Sequence, residues 1–275
     1  MRSMVKNVHL LIIDPQFDFV NKNGSLCVPG AQEDMQRLSV FIEKNVSKFG
    51  DIHVSLDQHH YIHIANPGYW MNSNGDMPSP YTEIRRTDVI SGKWTPRNPE
   101  LLQRVLNYLE VLEKSGKYTH RIWPPHCLIG SPGACIDETL FKALLKWESE
   151  FAVVDMVSKG SNPHVEHFSI VKAEVPLPSD TGTQLNTPFI STLSDPEVDQ
   201  ILVCGEALLH CVRSSFHDIV DNFSDPNVVK KMVFLKDCSS PVPLPDPGYQ
   251  QMADSFYKEM ESRGVLVTTT DKFTW

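Results

Sequence analysis

Six short apolar, β-branched runs recur along the chain, and segments of helical periodicity separate them. The runs are Val8–Ile13, Ile52–Leu56, Phe151–Asp155, Ile201–Cys204, Met232–Leu235 and Val265–Val267. A strand with one face in water alternates apolar and polar residues, whereas these runs are continuous, as strands buried on both faces require. The segments between them read as helices: Ala31–Lys48 after Pro29-Gly30, Asp137–Trp147, Cys211–Val220 and Tyr249–Met260. Strand–helix alternation implies right-handed crossovers, which predict an α/β fold: a mostly parallel sheet of about six strands with helices on both faces. Ligands of such sheets bind at the carboxyl ends of the strands, so functional residues should directly follow the apolar runs.

One stretch breaks this rhythm. Residues from about 66 to 120 hold no clear strand, but Leu101, Leu102, Val105, Leu106, Leu109 and Leu112 fall on one helical face. The segment reads as an insertion with its own helix, packed on a single domain spanning residues 1–275 and placed to cover a pocket. A Pro-rich stretch, Pro241–Pro247, marks the loop before the last helix.

Composition excludes several partners. The formal charge of −9 disfavours nucleic acid and anionic membranes. No apolar run approaches the ~18–20 residues a membrane helix needs. The first residues lead straight into the run ending before Asp14, which reads as a first strand and not a signal peptide. Six cysteines without a C-x-x-C pair then suggest reduced thiols and a cytoplasmic protein. The chain contains no G-x-G-x-x-G, Walker loop or G-x-S-x-G.

Several residues could carry chemistry. Asp14 ends the first run, where partial burial would raise its pKa, although the same position suits a turn cap. Asp57, His59 and His63 follow the second run and offer the carboxylate and imidazoles that a divalent transition metal takes, or simply a histidine-rich loop. His126, held after Pro124-Pro125, is a distant further ligand or a structural histidine. Lys159 before Gly160 is a surface charge unless an acid or thiol lies close. Cys211 stands where the helix after the fourth strand begins. There the unpaired N–H groups would lower its pKa and offer donors to an oxyanion, whereas Cys204 reads as core filler.

In chain order these pieces resemble the nicotinamidase group of the isochorismatase-like cysteine hydrolases. The matching elements are Asp14, Asp57-x-His59-x-x-x-His63, Trp123-Pro124-Pro125-His126-Cys127, Lys159-Gly160 and Gly205-x-Ala207-x-x-x-Cys211. The resemblance spans nearly the whole chain except the insertion and the far C-terminus. It implies a catalytic group of Asp14 as base, Lys159 as stabilising cation and Cys211 as nucleophile, acting on an amide through a thioester. It further implies a cis peptide between Glu206 and Ala207, an oxyanion hole from the N–H groups of Ala207 and Cys211, and an aromatic substrate ring held by Phe19 and Trp123. The implied metal site is Asp57, His59 and His126, with His63 near or in the shell. Zinc is the first choice from the ligand types, and manganese and iron are alternatives. His60 stands where the family commonly has proline and is left out of the set.

The expected reaction is nicotinamide and water to nicotinate and ammonia, a step in pyridine-nucleotide salvage toward NAD. Two alternatives stand beside it: hydrolysis of another small amide, carbamoyl or ureido, and a non-catalytic homologue that binds a metal or a partner. Glu206 and His210 beside the nucleophile are unusual polar residues, expected to bear on the pocket's preference. Related enzymes are often oligomeric, so a homo-oligomer is an expectation from the resemblance alone.

Overall fold

The computed structural model describes residues 7–242 and 248–275. Six strands form one sheet: β1 (Val8–Ile13), β2 (Phe49–Asp57), β5 (Asp155–Lys159), β6 (Gln200–Gly205), β7 (Met232–Leu235) and β8 (Leu266–Thr268). Their order is β5-β2-β1-β6-β7-β8 and every pairing is parallel. All six residues of β1 are buried, and successive strand residues point to opposite faces, so both faces of the sheet are covered. From β1 the chain moves outward through β2 and β5 on one side, then returns to β6 and continues through β7 and β8 on the other. The boundary between β1 and β6 is therefore a topological switch point, where the loops at the strand tips part and leave a crevice.

The helices beside the sheet follow from apolar spacing and caps. Helix α1 (Phe17–Val20) is a single turn after the first strand. Helix α2 (Ala31–Lys44) buries Ala31, Met35, Leu38, Phe41 and Ile42 and packs on α5 (Glu138–Glu148). It stops four residues short of the predicted Lys48, because Asn45 turns back to donate to the Phe41 carbonyl and residues 46–48 tighten into a 3-10 turn. Asp137 caps α5 by accepting from the N–H groups of Thr139 and Leu140. Helices α6 (Thr187–Leu193), α7 (Arg213–Asn222) and α8 (Tyr249–Arg263) complete the set. Among the described residues no helix is long and apolar enough to cross a membrane. The predicted loop Pro241–Pro247 lies outside the described residues from 243 onward.

One strand differs from its prediction. The run Phe151–Asp155 is not a strand: Phe151 is fully exposed at a positive φ of 69°, and β5 begins only at Asp155. The reason is position in the sheet. β5 is an edge strand whose residues Asp155, Met156 and Ser158 face solvent, so it lacks the continuous apolar signature. Lys159 is consequently the last residue of this strand and not part of a loop beyond it.

Residues 66–120 contribute no strand to the large sheet. They form β3 (Trp70–Met71) and β4 (Thr95–Pro96), an antiparallel pair, with α3 (Arg86–Ile90) and α4 (Leu102–Ser115). A second apolar cluster holds them together, built on Trp70, Ile84, Val89, Tyr108 and Leu109 and joined by Ile64, Ile122 and Val165 from the flanking chain. Of the predicted face of α4, Val105, Leu109 and Leu112 are buried, Leu101 and Leu106 are half-buried and Leu102 is exposed, while Tyr108 is buried beside them.

Candidate active site and metal centre

The register of the central strands brings distant residues to one end of the sheet. Ile13 lies opposite Gly205, and Asp57 lies opposite Lys159. Asp14 follows β1 in a tight turn at φ 45°, a left-handed conformation that Asp tolerates better than most residues. Gly205 has φ 120°, and a Cβ there would fall 2.1 Å from the Ile13 carbonyl oxygen, so only glycine lets the tips of β1 and β6 meet so closely.

Lys159 is the hub. Its buried ammonium lies 2.9 Å from Asp14 Oδ2, 3.0 Å from Asp57 Oδ1 and 3.6 Å from Cys211 Sγ, and it donates to the His167 carbonyl at 3.0 Å. Ser55 donates to Asp14 Oδ1 at 2.6 Å, and its oxygen also accepts from the Asp14 N–H. Burial would lower the lysine pKa, but the charges of Asp14 and Asp57 outweigh it and hold the ammonium charged well above the usual range. Burial pushes the Asp14 carboxyl up against the pull of Lys159.

Cys211 lies in one turn of π-helix, Leu208–Val212, that leads into α7; such turns are frequent at functional sites. Here the structure corrects the sequence reading of its acidity. Burial pushes the thiol well above its ordinary value, and Lys159 opposes this only in part. A thiol held up in this way needs a base, and the Asp14 carboxyl shares the Lys159 ammonium with it. The peptide between Glu206 and Ala207 is cis. The Ala207 carbonyl accepts from the N–H groups of His210 and Val212, while the Ala207 N–H donates to no other group among the described residues.

Asp57 also carries the second half of the site. Its Oδ2 lies 2.8 Å from His59 Nε2 and 3.4 Å from His126 Nε2. The three residues are buried, and their ligand atoms lie within 4.8 Å of one another. The far ring nitrogens are pinned: His59 Nδ1 donates to the Gly160 carbonyl at 3.1 Å and His126 Nδ1 to the Pro124 carbonyl at 2.8 Å. Both Nε2 atoms are thereby aimed at one point, the orientation that backbone carbonyls impose on metal-binding imidazoles. Burial lowers the His59 pKa, but Asp57 outweighs it and draws a proton onto the ring; a divalent cation at this point would take that proton's place. His126 reaches the set because residues 123–129 run beside 59–65, with Trp123 N–H donating to Ala65 O and His59 N–H to Cys127 O. Gly160, at φ 83°, leaves no room for a side chain: a Cβ would fall 2.6 Å from Asp57 Oδ1.

His63 is not brought into the set. Its ring packs on His59 at 4.4 Å between centroids, but Nε2 donates to the Val165 carbonyl and Nδ1 accepts from the Ala65 N–H. Both nitrogens serve the backbone, which leaves none for a metal. Glu206 likewise departs from expectation. It is fully buried away from the cleft and accepts from the Ser240 N–H, and burial beside the Asp34 charge pushes its carboxyl well above the usual range. His210 does face the cleft, edge-on to Trp123 at 5.1 Å and near Phe168 at 5.5 Å.

A narrow cleft opens between Cys211 and the histidine–aspartate group, with Phe19, Trp123, Phe168 and Glu166 in its walls. Its lining includes no residue of 66–120; the segment stands behind the wall, with Tyr81 against Trp123 and Tyr118 against Phe168. Four supporting residues escaped the sequence reading. Ser55 holds Asp14. Gln16 clasps the Asp57 backbone at both N–H and carbonyl. Asp18 accepts from the Cys127 N–H at 2.7 Å. Glu166 is a buried carboxyl facing the metal-type ligands. Gln16 and Asp18 stand directly after the first strand run, a signal that could have found them; the loop holding Glu166 has no periodicity to mark it.

No protein-family model matches the chain. The chain is 24% identical over 220 residues to the nicotinamidase of Escherichia coli (strain K12), covering 80% of this chain and 79% of that one. The yeast nicotinamidase bound to the inhibitor nicotinaldehyde superimposes with a TM-score of 0.65 at 17% identity, covering 95% of this chain and 99% of the other. The pyrazinamidase of Pyrococcus horikoshii in complex with zinc does so with a TM-score of 0.54 at 19% identity, over 96% and 99%. The fold is isochorismatase-like α/β, and the chain resembles nicotinamidases in both sequence and fold.

Proposed function

We propose that this chain is a metal-containing cysteine amidohydrolase acting on a small aromatic amide, nicotinamide foremost, and releasing the carboxylate and ammonia. The observation that carries the reading is Lys159, whose ammonium touches Asp14, Asp57 and Cys211 in one buried cluster. Asp14 takes the thiol proton as Cys211 Sγ bonds to the amide carbon. The oxyanion that forms is met by the N–H groups of Ala207 and Cys211. Asp14 then gives its proton to the leaving nitrogen, the C–N bond breaks and ammonia departs, leaving a thioester. Water attacks the thioester carbon, Asp14 takes the water's proton, and the C–S bond breaks as Asp14 passes that proton to Cys211 Sγ, which frees the carboxylic acid product and restores thiol and carboxylate. Lys159 keeps its charge throughout and offsets the negative charge passed between sulfur and carboxylate.

Asp57, His59 and His126 would hold a divalent metal, zinc first, with manganese and iron as alternatives for the same donors. When bound, it supplies a Lewis-acid contact for a ring nitrogen of the substrate. Phe19 and Trp123 offer the flat apolar walls that an aromatic ring needs, which supports this reading over a carbamoyl or ureido substrate. The test is Cys211→Ala: ammonia release from nicotinamide should vanish while metal content stays as in the parent protein. Unchanged turnover in that variant would end the proposal.

A further inference from the structure

Behind Trp123, Phe168 and His210 lies a second cavity of about 200 Å³, and these three rings are the wall it shares with the cleft. Its other side is basic. Lys117 comes from the end of the 66–120 segment, Arg121 from the strand-like stretch after it, and Arg213 from the first residue of α7. In a chain of net charge −9, three cations around one cavity are not a consequence of composition.

The cations differ in their commitments. Lys117 lies 3.3 Å from Glu174 and 3.6 Å from Asp218. Arg121 donates to Glu83 at 2.6 Å and rests 6.0 Å from the Trp123 ring centre. His217, also in the wall, faces Glu259 at 3.1 Å. Arg213 meets no carboxylate among the described residues. The dividing wall adds no charge: the His210 ring stands in it with Nδ1 buried and without a hydrogen-bond partner. Burial and the charges of Arg121 and Arg213 keep that ring neutral, with its pKa down at about 4, so one nitrogen can donate to an acceptor. A guanidinium without a counter-charge, set on one cavity with Lys117 and Arg121, calls for a ligand with negative oxygens.

We propose that this cavity is an anion subsite adjoining the cleft, taking a carboxylate or phosphate group with Arg213 as counter-charge. The group is either a substituent of the amide substrate or a small free anion. The first source rests on the cleft being the amide site and extends its substrate class to aromatic amides that bear an acidic group; the second does not depend on it.

The test uses the full metal-loaded protein. Calorimetric titration with inorganic phosphate and with benzoate should show binding to the parent and to Cys211→Ala, weakened by about tenfold to a hundredfold in Arg213→Gln. Arg213→Lys, which keeps the charge without the planar fork, should fall between, and thermal melts of both variants establish that they fold. A pair of aromatic amides differing only by a carboxylate then separates the sources. A lower KM for the acidic amide that disappears in Arg213→Gln places the anion on the substrate; anion binding without that preference supports a free anion. No anion binding by the parent, or equal binding by Arg213→Gln, together with equal kcat/KM for the amide pair, overturns the subsite. Binding of phosphate by Cys211→Ala alongside no turnover of any amide by the parent would instead sink the amidohydrolase reading and leave the subsite standing.

Discussion

Replacing Lys159 by methionine keeps the unbranched stem and removes the one positive charge among two buried carboxyls and a thiol. The ammonium is 2.9 Å from Asp14, 3.0 Å from Asp57 and 3.0 Å from the His167 carbonyl, and Asp14 is fully buried, with no water-facing route to a new partner. Breaking a buried ion pair from one side costs about 3–5 kcal/mol. Asp57 keeps His59 at 2.8 Å, so the loss falls on Asp14, which can escape by protonating because burial already pushes it up. The net destabilisation should therefore stay near about 3–5 kcal/mol at neutral pH, on the order of 10 °C in Tm. The sign of its pH dependence follows. With its folded pKa raised further, Asp14 binds a proton in the folded variant that the unfolded chain has released, so the variant loses stability as pH rises. The deficit should grow from pH 5 to pH 8, by at most about 1.4 kcal/mol per unit. A protonated Asp14 cannot accept the thiol proton, so turnover should fall by about 10²–10⁴ as well. Urea unfolding at several pH values measures the first effect, and adding Asp14→Asn should give a coupling above about 1 kcal/mol. A Lys159→Met protein within about 0.5 kcal/mol of the parent across that range would refute the reasoning.

Two other outcomes follow from the geometry. His126→Ala should lower metal stoichiometry well below one per chain, whereas His63→Ala should leave it near the parent's value, because both His63 nitrogens serve the backbone; elemental analysis of dialysed protein decides this, and metal loss in His63→Ala would reinstate it as a ligand. Burial lowers the His120 pKa from 6.5 to about 4, so protonation of the unfolded chain should draw stability away as pH falls from 6.5 to 4, by about 3 kcal/mol in all. Thermal melts of His120→Gln should show that acid slope flattened; an unchanged slope counts against a neutral buried ring.

Much of the site was legible because its residues sit at strand tips, and strand tips are readable wherever a strand is buried on both faces. Val8–Ile13 and Ile201–Cys204 announced themselves in this way, and Asp14 and Cys211 with them. The edge strand β5 did not, since its outward residues are free to be polar, and Lys159 was accordingly placed beyond a strand that it in fact ends.

The chain's own order of residues determined the layered fold, the positions of acid and thiol at strand tips, and the donor types offered to a metal, because these depend on local periodicity and side-chain chemistry. Tertiary packing decided the rest. It raised the thiol's pKa, since burial pushes it up and Lys159 opposes this only in part. It turned His63 to the backbone and Glu206 toward Asp34, and it assembled Lys117, Arg121 and Arg213 around one cavity. Each of these depends on how far apart groups end up and how much water remains between them, and neither quantity is carried by sequence spacing.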